Sequence, residues 1–420
     1  MRTALTITLA TLVVMTGDAR TPTDTTRRDE ARVEAAVRSV RSTEEMTIAD
    51  QMRLCEVPAP PFSERARAAV MRDMLSAAGL NNVRFDRVGN VIGERPGRSA
   101  RPNVVLAAHL DTVFPQGTTV KVRRAGTILR GPGIADNCRG LAVLVAVART
   151  LNATSVQTEG SIAFAATVGE EGLGDLRGAR ALLSETLKGR VDRFVAIDGT
   201  GESITNIGVG SRRYRVTFRG SGGHSYNNFG RANPAQALGR AVARISELHP
   251  PSTPKVTFNV GRIGGGTSVN AIPAESWFEI DLRSADEVSL DALDRSVQDI
   301  VKEAVARENA RWNQNGALTV RADRVGDRPA GKTDQRSAVV QTAVSISSIT
   351  GMRARLGEAS TDANMAMQLG IPAIAIGAGG RGSGSHTINE AFDSTGSVRG
   401  TERALRLAIA LSGRLPPESP

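Results

Sequence analysis

The hydrophobic pattern of the first half of the chain alternates between short apolar runs and longer helical stretches. Residues 104–108, 161–168 and 191–197 are mostly apolar, which is typical of strands buried on both faces of a sheet. Residues 141–151, between the first two runs, have the length and composition of an apolar helix. Strands that alternate with helices predict an α/β domain with a mainly parallel sheet covered on both faces.

Two further helices and two short strands precede these runs. The periodicity of residues 29–54 predicts one helix, which ends at the prolines of residues 58–61. Residues 63–79 predict a second helix, and residues 83–86 and 90–92 predict short strands.

The pattern changes after Ile207 and returns to its earlier form near residue 327. Segments of alternating polarity and two helices fill the intervening stretch. In chain order they are residues 214–218, 234–245, 255–263, 277–282, 290–308 and 318–321. The order strand–helix–strand–strand–helix–strand predicts a ferredoxin-like α/β sandwich at residues 208–326, inserted into a domain formed by residues 21–207 and 327–420.

After the insertion, helices and an apolar strand resume the first pattern. The predicted elements are helices at 337–349 and 361–369, a strand at 373–376 and a final helix from about residue 396 to residue 411. They complete the first domain, and the chain shows no internal repeat.

Composition supports a globular protein of two domains. The chain has 420 residues, of which 40% are hydrophobic and only 3% aromatic, so aliphatic side chains must form the cores. Its net charge is +10, but 53 basic residues are mixed with 43 acidic ones and no basic run is interleaved with aromatics. We therefore expect a solvated basic surface and no nucleic-acid partner.

The N-terminus has the form of a secretory signal peptide. Arg2 precedes an apolar stretch at residues 4–15, and the small residues Gly17 and Ala19 follow it. The stretch is short for a membrane span, so we expect cleavage near residue 20, a periplasmic or secreted protein, and no membrane span afterwards. An uncleaved anchor or a misassigned start remains an alternative.

Side chains of the metal-ligand type follow the predicted strands. His109 and Asp111 come directly after the strand at 104–108, and Glu170 and Glu171 follow the next one. The other candidates are Asp136, Asp198 and His386. Because the carboxyl ends of parallel strands meet at one edge of a sheet, we expect these side chains to converge.

Two histidines and three carboxylates suit two divalent metal ions that share one carboxylate. Zinc is the expected metal, and Co²⁺ or Mn²⁺ are alternatives. Asp111 is expected to accept a hydrogen bond from the second ring nitrogen of His109. Glu170 is left over beside a ligand, where a hydrolase needs a general base.

Each candidate also has a simpler explanation. Glu170 and Glu171 fit a solvated turn, Asp136 fits a helix N-cap, and His386 fits a surface loop. The chain has only four histidines, however, and two of them fall at these strand ends. The joint pattern therefore favours a metal centre.

The two cysteines are expected to be free thiols. Export would permit a disulfide between Cys55 and Cys138. Cys138 lies two residues from Asp136, however, and a bridge there is expected to distort the site. Cys138 as a zinc ligand is disfavoured because no second cysteine stands at CxxC spacing.

The candidate motifs resemble a known family of enzymes. They are His109-Leu110-Asp111, Gly131-Pro132-Gly133-Ile134-Ala135-Asp136, Glu170-Glu171, Asp198 and His386. In this order, and with the inserted domain, they resemble the two-zinc metallopeptidases that include peptidase T, carboxypeptidase G, aminoacylase and succinyl-diaminopimelate desuccinylase. The resemblance covers nearly the whole mature chain.

The resemblance implies a role for each residue of the set. His109, Asp136 and Asp198 hold one metal, and Asp136 also bridges to the second. Glu171 and His386 complete the second site. Asp111 orients His109, while Glu170 takes a proton from a metal-bridging water and passes it to the leaving amine.

For the inserted domain, the resemblance implies a dimerisation or lid domain and a homodimer. His224 in Gly222-Gly223-His224-Ser225 matches a histidine that reaches the partner's active site and stabilises the oxyanion. Asn270 and Arg283 match positions that bind a substrate carbonyl or carboxylate. On residue type alone, Arg283 reads as a surface arginine at a strand end.

The substrate remains open at this stage. Asp198 favours the aminopeptidase or dipeptidase branch, where a substrate has a free amino end. The segment 137–141 departs from the sequence that usually follows the bridging aspartate. We expect an exported exopeptidase or dipeptidase, with an N-acyl amino acid amidohydrolase or glutamate carboxypeptidase as the alternative. A catalytically silent peptide-binding protein is the alternative from another class.

Overall fold

The computed structural model describes residues 24–313 and 317–413, so the expected signal peptide at residues 1–20 lies outside the described residues. The helices are α1 Asp24–Ser42, α2 Glu44–Cys55, α3 Arg65–Ala77, α4 Cys138–Ala153, α5 Arg177–Ala181, α6 Pro234–Ser246, α7 Glu287–Arg311, α8 Ala338–Ile349, α9 Ala363–Gln368 and α10 Val398–Leu411. The strands are β1 Asn81–Phe85, β2 Val91–Arg95, β3 Val104–His109, β4 Arg123–Ala125, β5 Ile128–Arg130, β6 Ile162–Thr167, β7 Arg193–Ile197, β8 Ser203–Gly208, β9 Gly210–Arg219, β10 Gly223–His224, β11 Val256–Gly265, β12 Ala271–Ile272, β13 Glu275–Ser284, β14 Thr319–Arg328, β15 Gly331–Lys332, β16 Arg355–Ala359, β17 Ala373–Ile376, β18 Arg381–Ser383 and β19 Ala391–Asp393.

The larger domain is built on a mixed sheet whose centre is parallel, as the sequence predicts. Within the described residues its strand order is β1-β2-β6-β3-β7-β17-β8-β15, with β16 beside β8. The central strands β6, β3, β7 and β17 all run parallel, and β2 and β8 add antiparallel neighbours outside them. His109 pairs with Thr167 at the carboxyl end of β3 and β6, which sets where the loops beyond these strands begin.

Helices cover both faces of this sheet because its strands are apolar on both sides. Along β3, Leu106 packs into one core with residues of α4 and α10, while Val105 and Ala107 pack into the opposite core with residues of α5 and α9. Successive side chains of a strand point to opposite faces, so one continuous apolar run serves two cores.

The inserted domain is a four-stranded antiparallel sheet with α6 and α7 against it. Its strand order is β11-β13-β9-β14, which is the ferredoxin-like arrangement predicted from the sequence. Asn233 and Asp286 cap the two helices by accepting hydrogen bonds from the amides of Ala235 and Ser289. The last strand, β14, continues past residue 326 and ends at Arg328.

Local structure departs from the sequence prediction in several places, including strands β8 and β16 and helix α5, which were not predicted. Residues 29–54 form two helices, α1 and α2, because the backbone turns out of helical geometry at Thr43. The short strands β4, β5, β18 and β19 form a separate small sheet that the hydrophobic pattern does not signal. Among the described residues, no helix is both long and apolar enough to cross a membrane.

The expectation of two free thiols is wrong, because Cys55 and Cys138 form a disulfide. Their Cα atoms are 5.4 Å apart, within the range that a disulfide spans. Both cysteines are fully buried among apolar side chains of α2 and of the loop before α4. The bond therefore ties the segment that carries Asp136 to the end of α2.

Candidate metal centre

Three neighbouring strands deliver candidate ligands to one edge of the parallel sheet. His109 is the last residue of β3, Asp198 follows the end of β7, and Glu170 and Glu171 lie just beyond β6. Asp136 lies immediately before α4. His386 comes from the loop between β18 and β19. The structure thus brings together all five expected ligands and Glu170.

Asp136 lies between the two histidines, with one carboxylate oxygen facing each. Its Oδ1 is 3.1 Å from His109 Nε2, and its Oδ2 is 3.3 Å from His386 Nε2. Asp198 Oδ1 is 3.7 Å from His109 Nε2, and Glu171 Oε1 is 3.2 Å from His386 Nε2. In each of the two triads the ligand atoms lie within 4.8 Å of one another. This nitrogen and oxygen donor set, with a shared carboxylate, fits two divalent metal ions.

The clustered carboxylates change the acid–base properties of the histidines. The carboxylates of Asp136 and Glu171 accept hydrogen bonds from the His386 imidazolium and raise the pKa of His386 to about 10. Burial alone lowers the pKa of His109, but its contacts with Asp111, Asp136 and Asp198 outweigh burial and raise it well above its usual value. A cation that binds here must displace these protons, so metal binding is coupled to proton release.

The loop that carries Asp136 is held by a buried glutamate that no sequence motif signals. The Glu390 carboxylate accepts hydrogen bonds from the amides of Gly133, Ala135 and Asp136, at 2.8–3.0 Å. Gly133 has a φ of +79°, and a Cβ there would lie 2.6 Å from Thr112 Cγ2, so glycine is required. Glu390 therefore fixes the direction of the Asp136 side chain.

Asp111 is placed differently from the expected arrangement. Its carboxylate lies 3.7 Å from His109 Nδ1, whereas its backbone carbonyl oxygen is 3.0 Å from that nitrogen. The carboxylate instead accepts hydrogen bonds from the backbone amides of Glu170, at 2.9 Å, and Glu171, at 2.8 Å. Asp111 thus holds both the His109 ring and the loop after β6, and the second contact was not predicted.

Glu170 lies at the wall of a cavity of about 500 Å³ that also exposes Asp136, Asp198 and His386. The Glu170 side chain is only 6% exposed, and burial raises its pKa well above the usual value despite the opposing charge of Arg328. Arg328 Nη1 is 3.2 Å from Glu170 Oε1. Arg328 was not among the predicted site residues, because an arginine at a strand end has no distinguishing sequence signal.

The residues expected from the inserted domain are divided between two places. Arg283 lines the cavity, next to Arg213. His224 and Asn270 do not line it in the described part of this single chain. They lie beside each other on the exposed ribbon of β10 and β12, where the Ser225 amide donates to the Asn270 carbonyl oxygen at 2.9 Å.

Two three-ligand clusters at the cavity, a carboxylate shared between them and an adjacent buried glutamate define the site of a metal-dependent hydrolase. The comparisons identify its family. Residues 105–410 match the model of peptidase family M20/M25/M40, and the chain belongs to this family. It is therefore a hydrolase that acts on peptide or amide bonds.

Individual relatives differ in what they cleave. Succinyl-diaminopimelate desuccinylase from Corynebacterium glutamicum is 26% identical over 335 residues, which cover 78% of this chain and 86% of the relative. A tripeptidase structure from Staphylococcus aureus is similar with a TM-score of 0.73 at 21% identity, covering 88% of this chain and 98% of that one.

A third relative bears on the metal content. A structure from Bacillus subtilis, described as a dinuclear metal-binding peptidase of family M20, has a TM-score of 0.66 at 16% identity and covers 88% of this chain and 99% of that one. In this chain each of the two triads brings three possible ligand atoms within 4.8 Å of one another.

Proposed function

We propose that the protein is an exported exopeptidase or dipeptidase that uses two divalent metal ions, most simply zinc, and Glu170 as the general base. The observation that carries this proposal is the position of Asp136, whose two carboxylate oxygens face His109 and His386 while Glu170 stands at the same cavity. A carboxylate shared between two histidine nitrogens is the arrangement expected where two metal ions share one ligand.

The residues of the chain divide the chemistry among them. His109, Asp136 and Asp198 would hold one ion, and Asp136, Glu171 and His386 would hold the other. Ions in such a site polarise a scissile carbonyl and make water a stronger acid. Glu170 accepts the proton of the attacking water and returns it to the leaving amine, which requires a carboxylate within the cavity and shielded from bulk water.

Export is supported by two separate features. The N-terminal sequence has the order of a signal peptide, and the chain pairs its two cysteines. Disulfides persist in oxidising compartments such as the periplasm and are rare in the cytosol. We infer that the mature protein acts in the periplasm or outside the cell.

A homodimer would explain the exposed ribbon of the inserted domain. His224 lies beside Tyr226, which is 85% exposed, and Phe229, which is 79% exposed; Val269 next to Asn270 is also fully exposed. Apolar side chains grouped around polar ones are typical of a protein–protein contact. We propose that a second copy covers this surface and that His224 and Asn270 then meet the substrate of one of the two sites.

The alternative within the same chemistry is an N-acyl amino acid amidohydrolase or a glutamate carboxypeptidase. Arg283 at the cavity favours a substrate with a carboxylate, which peptides and N-acyl amino acids both have. The two possibilities differ in the group on the other side of the scissile bond, a free amine or an acyl chain.

The experiment is hydrolysis by purified mature protein of matched di- and tripeptides, free and N-acetylated, together with N-acyl amino acids. Each is assayed with zinc and with a chelator. Cleavage that needs a free amine and is lost with chelator supports the exopeptidase. Preference for N-acylated substrates supports the alternative. Absence of cleavage by protein with two bound metals would support a peptide-binding role and overturn the proposal.

A further inference from the structure

The inserted domain joins the larger domain at two chain crossings that lie beside Glu170 and are together called the hinge. The chain passes between the domains twice, between β8 and β9 and again after β14. The buried side-chain amide of Asn364 donates to Val209 O at 3.0 Å and to Pro329 O at 2.9 Å. The Asn364 side chain is thus hydrogen-bonded to the backbone at both crossings. Arg328 is the last residue before the second crossing.

Arg328 reaches from this hinge to Glu170. Its Nη1 donates to Glu170 Oε1 and to Ser360 Oγ, each at 3.2 Å, and its Nη2 donates to the Glu170 carbonyl oxygen. The side chain of Arg328 is 5% exposed, so these contacts form away from bulk water. A charged hydrogen bond in such surroundings is strong, and its geometry is set by the planar guanidinium.

The same loop is held at further points by the strands of the hinge. Arg213 Nη1 of β9 donates to Gly172 O at 2.6 Å, and the Asp327 amide of β14 donates to Asp175 Oδ1 at 2.8 Å. Residues 170–175 are therefore bonded to both strands that connect the inserted domain. A movement of these strands would therefore stretch or break hydrogen bonds to the loop that carries Glu170.

We propose that Arg328 is the positioning residue for Glu170 and that it couples the position of the inserted domain to the general base. Arg328 fixes both the backbone and the carboxylate of Glu170, so that the carboxylate faces the cavity. The inference rests on the proposed function, because it assigns the partner of that function's general base.

The test compares Arg328→Met and Arg328→Lys with the matched control Arg321→Met. Arg321 lies on the same strand, is 73% exposed and pairs only locally with Asp323. With the substrate that the wild type cleaves fastest, we expect Arg328→Met to lower kcat about 30-fold through loss of a buried charged hydrogen bond. Arg328 also borders the cavity, so a KM change of less than about twofold is the result that separates positioning of Glu170 from direct substrate binding.

Arg328→Lys is expected to regain part of kcat, because lysine supplies the charge but not the two-pronged geometry. Guanidinium at low millimolar concentration is expected to raise the kcat of Arg328→Ala, whereas sodium chloride at equal ionic strength is not. All three Arg328 variants should retain the wild-type metal content. Unchanged kcat in Arg328→Met, or a loss of metal that accounts for the whole defect, would overturn the assignment.

Amide hydrogen exchange gives a readout that does not depend on activity. Arg328→Met should speed exchange in a peptide covering residues 170–175, and Arg321→Met should leave it at the wild-type rate. If the wild type cleaves no substrate, the proposed function fails while this measurement still decides whether Arg328 holds the loop. Unchanged exchange in Arg328→Met would contradict the positioning role whatever the activity.

Discussion

The metal centre and the inserted domain present their polar residues in opposite ways. At the metal centre His109, Asp136 and Glu171 converge from separate segments onto one partly enclosed cluster, and their contacts are complete within one chain. In the inserted domain His224 and Asn270 stand on the exposed ribbon, and among the described residues their side chains form hydrogen bonds only within their own turns. The ends of the parallel strands, with the Asp136 and His386 loops, bring the ligands together within one chain. Under the proposed dimer, His224 and Asn270 would meet their partners only in a second copy.

The difference has a physical origin in what each region buries. The ends of β3, β6 and β7 lie over two apolar cores, so the ligands are held by a rigid framework. The inserted domain has its own separate core, and within the described residues hydrogen bonds of Arg213, Asp327 and Arg328 tie its strands to residues 170–175. Variants in both regions test this contrast.

The largest effect is expected at the shared carboxylate. Asp136→Asn should abolish activity and release metal from both sites, because a neutral amide has one oxygen acceptor where the carboxylate faces two histidines. Metal content by mass spectrometry and turnover are the measurements. Asp73→Asn, an exposed change, serves as the control. An Asp136→Asn protein that keeps two metals would contradict the assignment of Asp136 as the ligand shared by both metals.

Glu170→Ala should lower turnover by at least ~100-fold while both metals stay bound, because it removes the general base alone. The neighbouring Glu171→Ala is a matched comparison that should lose metal. Glu171 is an expected metal ligand, and its Oε1 lies 3.2 Å from Nε2 of His386. Turnover and metal content are measured for both proteins. Normal turnover in Glu170→Ala would contradict its role.

His224→Ala should slow the chemical step by about 100-fold, as expected for loss of one group that stabilises an oxyanion. Its fold and metal content should be unchanged, because His224 is exposed and contacts only its own turn.

Mixing His224→Ala with Glu170→Ala sharpens the comparison of the two regions. If His224 acts in a second copy's site, mixed dimers contain one site with both native residues, and activity should return to about a quarter of wild type. Activity that stays at the level of the separate variants would show that His224 does not act across a dimer.

The smallest effect is expected from the disulfide, and it is an effect on the free energy of unfolding. Replacing Cys55 and Cys138 together by alanine should lower the free energy of unfolding by about 2–4 kcal/mol under oxidising conditions, because the unfolded chain loses a cross-link. Denaturant unfolding of both proteins, with and without reductant, measures the effect. Equal stability of wild type and variant under oxidising conditions would show that the bond adds nothing.

Much of this site could be predicted from the sequence because its geometry follows from local pattern. Residues 104–108 are apolar enough to be buried on both faces, and the carboxyl end of such a strand is where His109 must emerge. The family to which the chain belongs was apparent from the same motifs. The ferredoxin-like order of the inserted domain likewise follows from alternating polarity and two helical stretches.

Only the tertiary structure decided the contacts that support these residues. Glu390 reaches the Asp136 loop across 254 positions, and Arg328 reaches Glu170 across 158. Cys138 pairs with Cys55 because its side chain turns into a buried cluster and away from the metal ligands. Periodicity indicates which face of an element is buried. It does not indicate which distant polar group contacts that element. For that reason the ligands follow from the sequence, whereas the groups that orient them follow from the fold.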